Sequence, residues 1–210
     1  MQDKRWCGVL LHPTSLPGPY GIGEIGPQAR AFADELQSMG QHYWQVLPMG
    51  PTSFGNSPYQ SPSTFASNHL LISFDDLLEE GLLQTPDIAS FPACSDTTID
   101  YGTVIPARMA VLAAVCRSFE LRASRQHKED FARFCECEAE WLEDYALFMA
   151  IKRAYGGGPW TDWPRELRGR DEDAIARARV CYAENIREEK LLQFLFDRQW
   201  QHLVATCHER

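Results

Sequence analysis

The chain has 210 residues, 44% of them hydrophobic and 11% aromatic, which is enough to bury a core of domain size. A formal net charge of −9 and a pI near 5.1 argue against electrostatic binding to nucleic acid or to an anionic membrane surface. No apolar run approaches the ~20 residues of a bilayer span, and Met1–Trp6 lacks the features of a secretory leader, so a cytoplasmic location is the default expectation.

Gly8–His12 is a short apolar run that predicts a buried strand, followed by a turn-rich segment through Gly26. Pro27 opens a helical pattern with Ala29, Phe32, Ala33, Leu36 and Met39 on one face, and Gly40 stops it. Tyr43–Leu47 predicts a second buried strand, closed by Pro48. Strand, helix and strand in this order make a βαβ unit whose strands should be parallel. From Pro48 to Asn68 neither period is present, and Phe54, Tyr59 and Phe65 are expected to anchor this long loop against disorder.

Beyond Asp75 the pattern becomes helical. A short helix is expected over Asp75–Leu83, then a connection to Tyr101, then longer helices near Val104–Ala123, His127–Tyr155 and Ala183–Cys207. Between the last two, Gly156–Pro164 reads as a rigid turn carrying Trp160 and Trp163. Two strands are too few for a stable parallel sheet. The expectation is therefore an incomplete (β/α) barrel, since a whole one needs ~250 residues and eight strands. Residues 1–74 would supply the first two β/α units and a substrate loop, 75–182 a mostly helical insertion, and 183–210 a helix leading toward a third strand.

Several chemical signals can be set aside. The seven cysteines are odd in number and scattered, which suits a reduced compartment, and Cys135 and Cys137 would face different sides of a helix. Gly21-Ile22-Gly23-Glu24-Ile25-Gly26 matches a dinucleotide fingerprint, but it lies too far from His12 at the strand end, and the second strand ends without an acid. Turn geometry before a helix explains these glycines. Glu24 would favour that helix's dipole, and Asp75 and Asp76 would start the next helix. No metal set or phosphate loop is present, and neither a cofactor nor a metal is expected. Of the histidines, His12 stands out because it ends the first strand, where barrel enzymes place substrate contacts; a structural role is the equal alternative.

The most informative signal is compositional. Leu36–Phe74 contains no Asp, Glu, Lys or Arg, whereas 39 residues at 23% charged would carry about nine. Burial explains Tyr43–Leu47, but Thr52–Asn68 is too rich in Ser, Pro, Gly and Asn to be core. Hydroxyls, amides and rings without charge suit a neutral polyol, with rings covering sugar faces and amides bonding hydroxyls.

The run Leu11-His12-Pro13-Thr14-Ser15-Leu16-Pro17-Gly18-Pro19-Tyr20-Gly21-Ile22-Gly23 resembles the opening motif of bacterial 4-α-glucanotransferases (amylomaltases). So do Tyr43-Trp44-Gln45-Val46-Leu47-Pro48, Gly55-Asn56-Ser57-Pro58-Tyr59-Gln60-Ser61 and Phe65-Ala66-Ser67-Asn68. Asp100-Tyr101-Gly102, Gly157-Gly158-Pro159-Trp160 and Phe196-Asp197-Arg198-Gln199-Trp200 extend the resemblance across the chain. It implies an α/β fold, the first part of an α-amylase-type (β/α)8 barrel, and retaining transfer of α-1,4-glucan segments between maltooligosaccharides. Tyr59 would cover the sugar ring at the cleavage point, with Ser57 and Gln60 close to the same cleft. Phe54, where the family carries tyrosine, and Tyr101 would form a secondary glucan patch. His69 stands where proline is common and looks structural.

Retaining chemistry needs two carboxyl groups about 5–5.5 Å apart. The family's motifs for them are absent here, so no catalytic residue is assigned and the chain alone is expected to be inactive. A short, non-catalytic glucan-binding protein of the same descent is the alternative.

Overall fold

The computed structural model describes residues 5–95 and 97–210. Residues 1–4, which belong to the segment read as lacking a leader, lie outside the described residues together with Asp96 and the side chain of Phe54.

The expected βαβ unit is present. Strand β1 (Gly8–Leu10), helix α1 (Pro27–Ser38) and strand β2 (Tyr43–Gln45) follow in order, and the strands pair in parallel with Gly8 opposite Tyr43 and Leu10 opposite Gln45. Pro27 occupies the first turn of α1, where its missing N–H costs nothing. Gly40 ends the helix at φ +68°, and the Gln41 N–H donates to the Leu36 carbonyl at 2.9 Å.

The strands are not buried on both faces as expected. Phe32 of α1 meets Trp44 edge-on at 5.0 Å, so Val9 and Trp44 are half-buried, while Leu10 is 58% exposed and Tyr43 is 59% exposed. Alternation along a strand sends neighbouring side chains to opposite faces, and one face alone is packed. An apolar run cannot reveal which face lacks a partner.

The chain divides into two compact units, residues 1–123 with 195–210, and residues 124–194. Residues 75–123 therefore fold with the strands, not with the later helices as the expected boundary at 75 implied. Helices α2 (Phe74–Glu79), α3 (Thr85–Ile88) and α4 (Tyr101–Arg122) complete this part of the first unit. Its core is formed by Ile25, Leu71, Ile72, Phe74, Leu77, Leu112 and Phe119, none of which is exposed.

Polar contacts lock this core. Arg108 of α4 is fully buried; its Nη1 donates to Glu24 Oε1 at 2.7 Å, its Nη2 donates to the Ile72 carbonyl at 2.5 Å, and its guanidinium lies 4.1 Å above the Phe74 ring. Glu24 Oε1 also accepts the Phe74 N–H at 3.3 Å. Glu24 thus serves the N-terminus of α2 and a buried ion pair, not the dipole of α1. Asp76 takes both terminal nitrogens of Arg30, and Asp75 accepts the Tyr20 hydroxyl at 3.0 Å. Ser73 caps α2 through its Oγ, and its backbone exchanges two hydrogen bonds with the side chain of buried Gln199. Asp75 and Asp76 do lie in the first turn of α2, as the sequence implies.

The second unit contains α5 (Arg125–Cys137), α6 (Ala139–Ala154), α7 (Arg165–Arg168), α8 (Glu172–Cys181) and the first part of α9 (Ala183–His208). The single helix expected over His127–Tyr155 breaks at Glu138, whose φ/ψ of −98°/8° is not helical and whose carboxylate takes the Trp141 indole N–H at 2.6 Å. Helix α8 has no counterpart in the sequence reading. Its cap Asp171 accepts the Ala174 N–H, but it buries only Ala174 and Ala178, too little apolar bulk to show a period. The turn after α6 uses Gly156 and Gly157, both at positive φ, to reverse the chain and seat Trp163 among Leu147, Ile151, Ala178 and Ile186. Cys135 is half-buried, with burial pushing its thiol pKa up, while Cys137 on the same helix is exposed.

Candidate functional site

The glycine run before α1 is a packing device. Side chains at Gly23 and Gly26 would run into the Pro13 and Leu16 backbone and into Ser73. These close approaches fold the segment after β1 back beneath His12. His12 caps the turn Pro13–Ser15: its Nδ1 accepts the Thr14 N–H at 3.4 Å and lies 2.8 Å from Thr14 Oγ1. With Nδ1 accepting, the neutral ring carries its proton on Nε2. Burial lowers the His12 pKa, and the Pro48 carbonyl offsets part of that effect. The ring is therefore held neutral at pH 7.

The loop after β2 is closed by its own polar groups. The Asn68 N–H donates to the Met49 carbonyl at 2.8 Å, which brings the two ends of the loop together. Inside it, the Ser53 N–H and hydroxyl both donate to the Gln60 carbonyl, and Ser63 Oγ accepts the N–H groups of Phe65 and Ala66. Of the three aromatics expected to anchor it, Tyr59 is 72% exposed and Phe65 is 69% exposed, and the side chain of Phe54 lies outside the described residues. Serine hydroxyls replace ring burial as the ordering device, as in compact surface loops.

Beneath this loop lies a cavity of about 180 Å³ in the first unit. His12 and Thr14 come to it from the end of β1, Leu47 and Pro48 from the end of β2, Asn56 and Pro58 from the loop, and Tyr101 from the start of α4. Asp100 caps α4, accepting the Gly102 N–H at 3.1 Å and the Thr103 hydroxyl at 2.6 Å, and this places Tyr101 at its first position. None of the residues lining the cavity is an Asp, Glu, Lys or Arg. The wall offers an imidazole, a phenol, hydroxyls and amides, a set that bonds neutral hydroxyl-bearing ligands and supplies no strong acid or base.

A family model described as 4-alpha-glucanotransferase matches residues 11–210. The chain belongs to the 4-alpha-glucanotransferase family. It is 47% identical to the 4-alpha-glucanotransferase of Thermus thermophilus over 207 residues, covering 99% of this chain and 41% of that protein. With the chloroplastic/amyloplastic 4-alpha-glucanotransferase of Solanum tuberosum it shares 36% identity, covering 95% of this chain and 35% of the relative. Among solved structures, an amylomaltase from Streptococcus agalactiae in complex with acarbose superposes with a TM-score of 0.92 at 36% identity, covering 98% of this chain and 41% of that one. The chain thus spans about two fifths of the length of these bacterial relatives.

Within this family frame the expected site residues separate. His12 and Tyr101, assigned to different patches from the sequence, line one cavity. Ser57 is half-buried and forms the turn, its Oγ accepting the Tyr59 N–H at 3.3 Å, while Tyr59 and Gln60 are exposed; none of the three lines the cavity. Phe54 opens a short turn over Phe54–Asn56, and its side chain lies outside the described residues. Thr14, Asn56 and Pro58 also line the cavity; each stands inside a motif that carries the family resemblance, and nothing in the sequence singles it out individually. Asn56 adopts a φ of 54°, a left-handed conformation that asparagine tolerates. His69 starts a turn capped by Asn68, whose Oδ1 accepts the Leu70 N–H at 3.0 Å.

Proposed function

We propose that this chain forms one wall of the α-1,4-glucan cleft of a 4-α-glucanotransferase, and that the reacting carboxylates belong to parts of the enzyme outside this chain. The observation that carries the reading is the uncharged wall under an exposed tyrosine. Tyr59 offers a free ring face, with Ser57 and Gln60 beside it, and the cavity beneath offers hydrogen-bonding groups of both kinds. In this reading Tyr59 stacks on a sugar ring, and His12, its ring nitrogens turned to Thr14 and the Pro48 carbonyl, shapes the uncharged wall of the cavity. Tyr101 and Phe54 contribute to glucan holding.

Four acids of the same unit are already committed. Glu24 is paired with Arg108, Asp76 with Arg30, Asp75 with Tyr20, and Asp100 caps α4. A retaining double displacement needs one carboxylate as nucleophile and another as acid/base, and this wall supplies neither. The exposed faces of Leu10 and Tyr43 on β1 and β2 support completion of the sheet by further strands into a (β/α)8 barrel. A cytoplasmic location belongs to the same reading; no helix among the described residues is long and apolar enough to cross a membrane.

The test is glucose release from maltotriose. The 210-residue chain alone should release none above a mock preparation, and a longer protein that includes it should. In that longer protein, Tyr59→Ala should lower turnover at least about tenfold, the equivalent of ~1.4 kcal/mol in the transition state, while leaving folding intact. Release by the chain alone, or an unchanged rate in the variant, would refute the reading.

A further inference from the structure

The second unit holds a cavity that the wall described above does not use. It measures about 310 Å³, the lower end of the ~300–1,000 Å³ range of small-molecule sites. Phe148 and Ile151 of α6, Trp160 and Trp163 of the glycine-proline turn and Leu167 of α7 form its apolar walls. Asp144, Arg168 and Arg170 stand among them.

The rings are fixed. Trp163 is 7% exposed and packs against Phe148 at 5.3 Å between ring centroids, with the planes tilted by 40°. Trp160, three residues earlier on the same short turn, keeps 53% of its surface exposed. A half-open indole on a turn closed by Gly156, Gly157 and Pro159 is an apolar face presented at little entropic cost. The polar groups are placed too: Arg170 Nη2 lies 3.0 Å from each carboxylate oxygen of Asp144, and Arg168 Nη1 donates to the Thr161 carbonyl at 3.0 Å.

We infer that this cavity is a second glucan-binding site, with Trp160 as its stacking face. The chemistry favours a neutral sugar over an anion. A sugar hydroxyl both donates and accepts, and the cavity offers guanidinium donors beside a carboxylate acceptor. Arg170 is committed to Asp144 and Arg168 to the Thr161 carbonyl, so the cavity is not a bare cationic pocket of the kind an anion needs. An aliphatic ligand would leave the fork and the carboxylate unused. The proposal takes its ligand, an α-1,4-glucan, from the function proposed above, and it adds a holding site on a separate unit.

The test is a titration of the ¹⁵N-labelled chain with maltoheptaose, reading indole and backbone N–H signals together. The indole signals of Trp160 and Trp163 should shift, with Trp44, whose Nε1 is bonded to the Leu11 carbonyl at 2.8 Å, as the internal control. Trp160→Ala should weaken binding reported by Trp163 about tenfold, as expected for withdrawing one indole face, and Asp144→Asn should weaken it as well. The amides of His12 and Tyr101 report the first cavity independently. Shifts there with Trp160 and Trp163 silent would overturn the second site and leave the proposed function standing. Silence at both would overturn both. An unchanged affinity in Trp160→Ala, or shifts induced by inorganic phosphate and not by maltoheptaose, would also overturn the second site.

Discussion

The buried pair of Arg108 and Glu24 allows a sharp test of how the first unit is held together, through Arg108→Met. Methionine fills part of the space left by the arginine but removes three things: the 2.7 Å contact to Glu24, the 2.5 Å bond to the Ile72 carbonyl and the charge over Phe74. Breaking a buried pair by removing one partner costs about 3–5 kcal/mol, because a charge is left without compensation. The cost should depend on pH. Burial pushes the Glu24 pKa up from 4.5 to about 7, against the pull of Arg108. A folded-state pKa above the unfolded one means this group's stabilisation is fully present below 4.5 and is lost as pH rises through about 7. Without Arg108 the folded pKa rises further, and each additional unit is worth ~1.4 kcal/mol. The variant should therefore be penalised more at pH 8.5 than at pH 6. Both values lie clear of the pI near 5.1. Urea unfolding followed by circular dichroism at the two pH values measures the difference. Equal destabilisation at both, or a total below ~1 kcal/mol, would show that the pair does not hold the core as described.

Other consequences are simpler to check. Burial lowers the His12 pKa, so the stability it contributes should be present above 6.5 and be lost as pH falls below it; His12→Asn should remove that part of the slope in a stability profile from pH 7.5 to 5.5. Asn68 is 5% exposed, and its Oδ1 caps the turn after the loop, so Asn68→Ala should lower stability by about 1–2 kcal/mol, seen as a shift in urea midpoint at unchanged slope.

The parts of the fold that were legible in the sequence are those set by local chemistry. Pro27 and Gly40 bracket α1 because proline suits a first turn and glycine a left-handed stop, and the apolar runs on either side gave the parallel pair. Contacts across long separations were not legible. Glu24 and Arg108 stand 84 positions apart, so Glu24 could be read only against its nearest helix. The same limit hid the grouping of residues 75–123 with the strands, which depends on such pairs. Aromatic content does not imply burial in this loop: Phe65 and Tyr59 stay exposed, whereas Ser53 and Ser63 order it through hydrogen bonds to the backbone.

The candidate site was legible as a composition before it was legible as a place. The absence of charge from Leu36 to Phe74 marked the surface, and the motif around Ser57–Gln60 marked its tip. That Tyr101 meets His12 in one cavity depends on where Asp100 starts α4, and no periodicity reveals that.

In the proposed function this chain holds glucan and does not react with it. Ligand-observed NMR of maltoheptaose mixed with the chain reads both properties in one experiment. The expected result is broadening of the sugar signals that weakens with Tyr59→Ala, and no new reducing-end signals over time. Sharp, unperturbed sugar signals at high protein concentration, or the growth of shorter and longer maltooligosaccharides, would contradict it.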